Sequence, residues 1–209
     1  MRNKLKPMEI EQRSMQTIAS ELGTTEIPSE NRDVVMRVIH TTAEFDYVNN
    51  LVFSEDACKK GIEAIKNGAH IVTDTKMAMA GINKAMLGKF GGEVHCFIGD
   101  ADVATKAKQL ETTRAEISME KAKSLGNNVI YAIGNAPTAL FKLRDMIDAG
   151  EIQPALIIGV PVGFVNVVES KEEILQTNAP HIVAKGRKGG SNVAAAIVNA
   201  LMYQVCERE

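Results

Sequence analysis

His40 stands in a stretch whose residue types can do proton chemistry: Asp33-Val34-Val35-Met36-Arg37-Val38-Ile39-His40-Thr41-Thr42-Ala43-Glu44-Phe45-Asp46-Tyr47. An imidazole changes protonation near neutral pH and is tuned by its neighbours or by a bound ligand. Thr41 and Thr42 follow it with hydroxyls that both donate and accept. Val34, Val35, Val38 and Ile39 recur at helical spacing and predict a buried stripe. Asp33, Arg37 and His40 share another face, because residues three and four apart stack on a helix. The stretch therefore reads as a helix running into a polar corner and then a strand. The same position also suits a helix-end histidine that only complements the helix dipole.

A second chemical cluster is Gly186-Arg187-Lys188-Gly189-Gly190-Ser191, which opens the last apolar helix. Two cations, a glycine-rich backbone and a helix N-terminus together predict an anion site. Arg114 sits at another helix start, where a cation opposes the dipole and a bound anion would relieve it. Thr113 is expected to cap that helix, with Glu116 as its partner three residues on. Asp74-Thr75, Gly134-Asn135 and Gly163 fall in loops after apolar strands. In open α/β sheets ligands bind at that edge. Gly88-Lys89-Phe90 is not a phosphate loop, since the upstream glycine and the following Ser or Thr are missing.

The elements that must position these residues are predicted from pattern. Apolar runs at residues 51–53, 70–73, 94–98, 128–133 and 154–159 predict five strands. Helices are expected over residues 7–22, up to His40, and over 54–67, 76–89, 115–125, 139–149, 166–176 and 192–204. Ser29 or Asn31 is expected to cap the His40 helix, and residues 180–184 read as a short extended piece. The strands lack period-two alternation, as expected when both sheet faces are covered. This predicts a single α/β domain over residues 1–209, a three-layer arrangement with a five-stranded parallel sheet and helices on both faces.

The bulk numbers exclude several classes. A net charge of −2 provides no basic field for nucleic acid or membrane. The chain has no Trp and few aromatics for base stacking. Cys58, Cys96 and Cys206 are widely spaced and odd in number, which predicts reduced thiols and a cytoplasmic location. No apolar run approaches membrane-spanning length, and the basic start of the chain leads into acidic residues and not a signal core. His95 and Cys96 are adjacent and point to opposite strand faces, and His70 reads as structural. No His/Cys/Asp cluster suggests a protein metal site.

The wording Arg37-Val38-Ile39-His40-Thr41-Thr42-Ala43, followed by an acid, Phe45, Asp46 and Tyr47, closely resembles the active-site segment of the precorrin-8X methylmutases. The resemblance extends over nearly the whole chain. It implies isomerase activity in the pathway to vitamin B12 (cobalamin biosynthesis): a ring C methyl moves from C-11 to C-12 of precorrin-8 or its cobalt form. It implies His40 as the catalytic group, acting as acid and then base. It also implies that Ser14, in an Arg-Ser pair, reaches the substrate, as do Thr75 at an Asp-Thr-x-Met turn and Arg114. Thr41, Gly134, Asn135, Arg187 and Lys188 complete the expected substrate site. Lys185, Arg187, Lys188 and Arg114 suit the many carboxylates of a tetrapyrrole edge. The strand order expected from the resemblance is flavodoxin-like, 2-1-3-4-5, and the expected assembly is a homodimer. No cofactor is implied, and any cobalt belongs to the tetrapyrrole substrate and corrinoid product. Glu44 replaces the aspartate usual in that string, which otherwise looks more like the cobalt-handling branch. Two other readings stay open: a flavin- or nucleotide-binding module using residues 186–191 as a phosphate cradle, and a non-catalytic corrinoid carrier.

Overall fold

Strands buried on both faces need helices above and below them, and the computed structural model, which describes residues 6–205, has that arrangement. The N-terminal half contains α1 (Pro7–Leu22), α2 (Ser29–Thr42), the single turn α3 (Tyr47–Asn50), β1 (Leu51–Phe53), α4 (Ala57–Lys66), β2 (His70–Thr73), α5 (Lys76–Gly81), α6 (Lys84–Gly88) and β3 (Val94–His95). There follow α7 (Ala101–Gln109), α8 (Arg114–Ala122), β4 (Val129–Ile133), α9 (Pro137–Asp148), β5 (Leu156–Gly159), α10 (Val167–Leu175), β6 (His181–Ala184) and α11 (Ser191–Tyr203). The basic N-terminal residues before Lys6, and Cys206, lie outside the described residues.

The sheet has six strands in the order β1-β6-β5-β4-β2-β3. This corrects the five-stranded parallel expectation in two ways. The short piece at 181–184 is a full strand, parallel to β5. The strand expected first, β1, is an antiparallel edge strand on β6, with Leu51 opposite Ala184 and Phe53 opposite Ile182. The five strands β2 to β6 are mutually parallel.

Alternate residues of one strand serve two cores. Ile130 and Ala132 face the layer built by α1, α2, α4 and α11, together with Val34, Val35, Val38 and Ile39. Val129, Tyr131 and Ile133 face the layer of α8, α9 and α10, against Met119, Leu140 and Leu143. Helix α11 is apolar almost all round, and ten of its residues are buried. Such a helix must lie between layers, and α2 packs along it.

Several local expectations are corrected. The helix expected over 76–89 breaks at Ile82-Asn83. Asn199 of α11 accepts from the Asn83 amide at 2.9 Å and donates to Gly81 O at 2.8 Å, and the Asn83 side chain caps α6 by accepting from the Met86 amide. The strand expected over 94–98 ends at His95 and passes into a 3-10 turn, Phe97–Gly99. Neither Ser29 nor Asn31 caps α2; Pro28 precedes it and Ser29 is already helical, its hydroxyl donating to Glu30. Thr113 caps α8 as expected, accepting from the Glu116 amide at 3.2 Å.

Candidate functional site

The carboxyl ends of the parallel strands meet at one edge of the sheet, and Thr75, Gly134, Asn135, Arg187 and Lys188 of the predicted residues follow them. Asp74 follows β2, Gly134 follows β4, Val160 follows β5 and Lys185 follows β6. The antiparallel pairing of β1 returns the polar corner after His40 to the same edge, where the Lys185 amide donates to Asn50 O at 2.8 Å.

His40 occupies the last turn of α2, with Ala43 closing the helix in the left-handed conformation. Its Nδ1 lies 2.8 Å from Ser14 Oγ on α1. A hydroxyl that accepts from Nδ1–H leaves Nε2 with a lone pair for a ligand proton. Nε2 has no protein partner among the described residues. The resemblance placed Ser14 in the site; the structure makes it the direct neighbour of the histidine. Arg37 belongs elsewhere: it pairs with Glu11 at 2.7 Å and lies over the Tyr203 ring. The Thr41 hydroxyl is exposed and donates back to Arg37 O at 2.9 Å, so it meets a ligand chiefly as an acceptor.

Asp74, expected at a helix start in one of the loops along the ligand-binding edge, anchors the neighbouring Gly134 loop. It is 2 % exposed, and its carboxylate accepts from the amides of Gly134, Asn135 and Ala136 at 2.9, 2.7 and 2.6 Å. Burial pushes its carboxyl upward, and the three amide bonds act against that push. Next to it, Thr75 Oγ1 and Ser191 Oγ are 2.7 Å apart, joining the starts of α5 and α11. Gly134 must be glycine here, since a Cβ would come within 2.6 Å of Ser191 Cα. An acid directly after an apolar strand was the sequence signal for Asp74; Ser191 was marked as the end of the basic glycine-rich loop, but not as a partner of Thr75.

The basic loop is held, not loose. The Gly190 amide donates to Val160 O at 2.9 Å, and a Cβ on Gly189 would sit 2.1 Å from that oxygen. Beneath it Lys171, 1 % exposed, donates to Gly186 O and Lys188 O, both at 2.8 Å. Burial holds its ammonium down to about 8. Lys188 itself is not a free cation, because it bridges to Glu44 and Asp46 in the His40 corner. Those partners raise the Lys188 ammonium, and Lys188 lowers Asp46. Exposed pairs of this kind are weak and exchangeable. Arg187 is exposed and lies over the Phe164 ring at 5.4 Å. Arg114 is exposed at the start of α8, whose cap Thr113 is 2.9 Å from Thr138 Oγ1 on α9 and so adjoins the Gly134–Asn135 loop.

The edge is also apolar. Phe164 and Val165 are 82 % and 76 % exposed, and Met77 just after Thr75 is 72 % exposed. A cavity of about 840 Å³ lies at the opposite edge, lined by Asn128, Ile152, Pro154 and Pro180. It carries Lys60 against Glu63 and Glu151, which does not suit a polyanion. The sequence reading found no metal-type cluster, yet the pairing of β2 with the edge strand β3 brings His70, Glu93 and His95 together at that margin of the sheet.

A family model described as precorrin-8X methylmutase matches residues 9–204. The chain belongs to the precorrin-8X methylmutase family. Among curated relatives, a cobalt-precorrin-8 methylmutase of Priestia megaterium is 46 % identical, covering 94 % of this chain and 88 % of that protein. A precorrin-8X methylmutase of Pseudomonas aeruginosa is 40 % identical, covering 92 % and 93 %. The crystal structure of the precorrin-8X methylmutase from Thermus thermophilus superposes with a TM-score of 0.86 at 40 % identity, over 92 % of this chain and 93 % of that one.

Lys171 gives the basic loop it holds a pH signature. Its folded pKa, about 8, lies below its ordinary 10.5. Between those values the folded protein releases a proton that the unfolded chain keeps, so this group's contribution to stability rises with pH. Lys171→Met is expected to lack that rise, by roughly 3 kcal/mol at full effect. Urea unfolding of both proteins at pH 7 and pH 10 measures it; equal changes would assign the low value to no linked proton.

Proposed function

We propose that this chain is a methylmutase of cobalamin biosynthesis, an isomerase that moves the ring C methyl of a precorrin-8 macrocycle from C-11 to C-12. The observation that carries the reading is His40, held at Nδ1 by Ser14 just before the corner whose Glu44 and Asp46 pair with Lys188 of the basic loop. A methyl shift within one molecule needs no external donor or redox partner. It needs a flat ligand held still and a proton moved at ring C, the task of one positioned acid–base group. The ligand's apolar faces match Phe164, Val165 and Met77, and its carboxylates match Arg114, Arg187 and Lys185. Lys188 joins them by exchanging Glu44 or Asp46 for a substrate carboxylate.

The cobalt form of the substrate is favoured by the higher identity to the Priestia megaterium relative and by the wording after His40. Cobalt then travels with the substrate, and the protein itself brings no cofactor. The five parallel strands, ordered β3-β2-β4-β5-β6, support the flavodoxin-like description. Exposed Met8 and Ile10 on α1, beside the Ser14 helix face, support a homodimer. Among the described residues no helix is long and apolar enough to cross a membrane, in keeping with a cytoplasmic single-domain enzyme.

Incubation with cobalt-precorrin-8, and in parallel with its metal-free form, tests the reading. Product of unchanged mass with an altered chromophore is expected. Binding without turnover would make the chain a corrinoid carrier. Arg187→Ala is expected to weaken corrinoid binding by about 1 kcal/mol or more and to flatten its salt dependence, without loss of stability. Affinity equal to wild type at low salt would remove Arg187 from the site.

A further inference from the structure

The sheet's far edge carries groups that the methyl shift does not use. His70 opens β2 and His95 closes β3, in the register Ile71 to Val94 and Val72 to His95. His70 Nδ1 and His95 Nε2 lie 3.1 Å apart, and Glu93 Oε2 is 3.9 Å from His95 Nε2. One ligand atom from each residue falls within 4.8 Å of the others. The two rings meet edge to face, and Phe97 stacks on His95 with centroids 5.7 Å apart, holding that ring's plane.

We propose that His70, His95 and Glu93 form a binding site for a divalent first-row transition-metal ion of the zinc type. Two imidazole nitrogens bound tetrahedrally to one ion, each at roughly 2.0–2.1 Å, stand about 3.3 Å apart. The observed 3.1 Å is already close to that bite. The Glu93 side chain is 73 % exposed, so its oxygen is free to move the remaining fraction of an ångström. Two imidazoles and a carboxylate are a borderline-hard donor set that suits zinc, with a fourth position left for water. In the metal-free protein one imidazole N–H donates to the other ring. Metal binding turns both lone pairs inward and moves that proton to the outer nitrogen of its own ring, so no net proton is lost. The ion ties the two-residue β3 to β2. It therefore stiffens the edge from which the chain proceeds to α7 and to Arg114 at the start of α8.

The test is equilibrium dialysis of the full chain, stripped with EDTA, against zinc(II), with thermal unfolding followed in parallel. One zinc per chain and a raised Tm are expected, since a ligand that binds only the folded state stabilises it. His70→Gln and His95→Gln are each expected to weaken binding by more than the roughly 10- to 100-fold that loss of a supporting group costs. Cys96→Ser is expected to bind as wild type does. Glu93→Gln, at an exposed position, covers the case in which a histidine variant does not fold, and should weaken binding by at least about tenfold. No zinc bound by folded wild-type protein overturns the site. So does wild-type affinity in Glu93→Gln or in a folded histidine variant.

Discussion

Replacing His40 by alanine is expected to leave a folded protein that binds corrinoid nearly normally and turns over roughly 100- to 10,000-fold more slowly. The fold should survive because His40 is only half-buried at the end of α2, while Val38 and Ile39 beside it carry the packing. The rate should fall if the imidazole moves the ring C proton, because Ser14 at Nδ1 leaves the Nε2 lone pair available to take it. His40→Asn separates two roles. It keeps a hydrogen-bond donor but carries no proton near neutral pH. An asparagine variant as slow as the alanine one assigns proton transfer to the imidazole. Recovery of most of the rate would reduce His40 to orienting the substrate. Normal affinity with slow turnover places the loss in the transition state.

Asp74→Ala is expected to cost about 3 kcal/mol or more in stability and to raise KM together. A buried amide left without its acceptor costs roughly 1–3 kcal/mol, and three amides lose one here. Water can reach the exposed Asn135 more readily than buried Gly134, which keeps the total below the full sum. Asp74→Asn is the finer variant. Its amide retains one acceptor but turns an NH2 toward backbone N–H groups, so it should recover less than half of the loss. Urea unfolding gives the stability and initial rates give KM. An Asp74→Ala protein with wild-type stability would mean that the 134–136 loop is held by something other than the carboxylate.

The legible parts of the fold were those whose cause is local. Strands β4 and β5 are continuous apolar runs because both of their faces are buried, and the sequence shows that directly. The cap at Thr113 is a matter of three neighbouring residues. The split between α5 and α6 was not legible, because its cause is Asn199, 116 residues from Asn83. The direction of β1 was hidden because a three-residue apolar run reads the same parallel or antiparallel. In the site, His40 stood out by residue type, whereas Ser14 came only through family likeness. Lys171 was invisible because nothing in a helix of mixed charge marks which lysine turns inward. Lys188 stood out in the sequence as a cation of the basic loop, but not as one already shared with Glu44 and Asp46.

The two outermost strands, β1 with three residues and β3 with two, have a consequence for how copies of the molecule meet. An exposed sheet margin recruits other chains through its row of unpaired amides and carbonyls, and short margins blunt that recruitment. Here neither margin offers a ladder long enough to template a neighbour. Self-association is thereby steered away from open-ended strand addition, which has no natural stopping point, and toward side-chain patches on helices and loops, where a two-fold contact closes on itself.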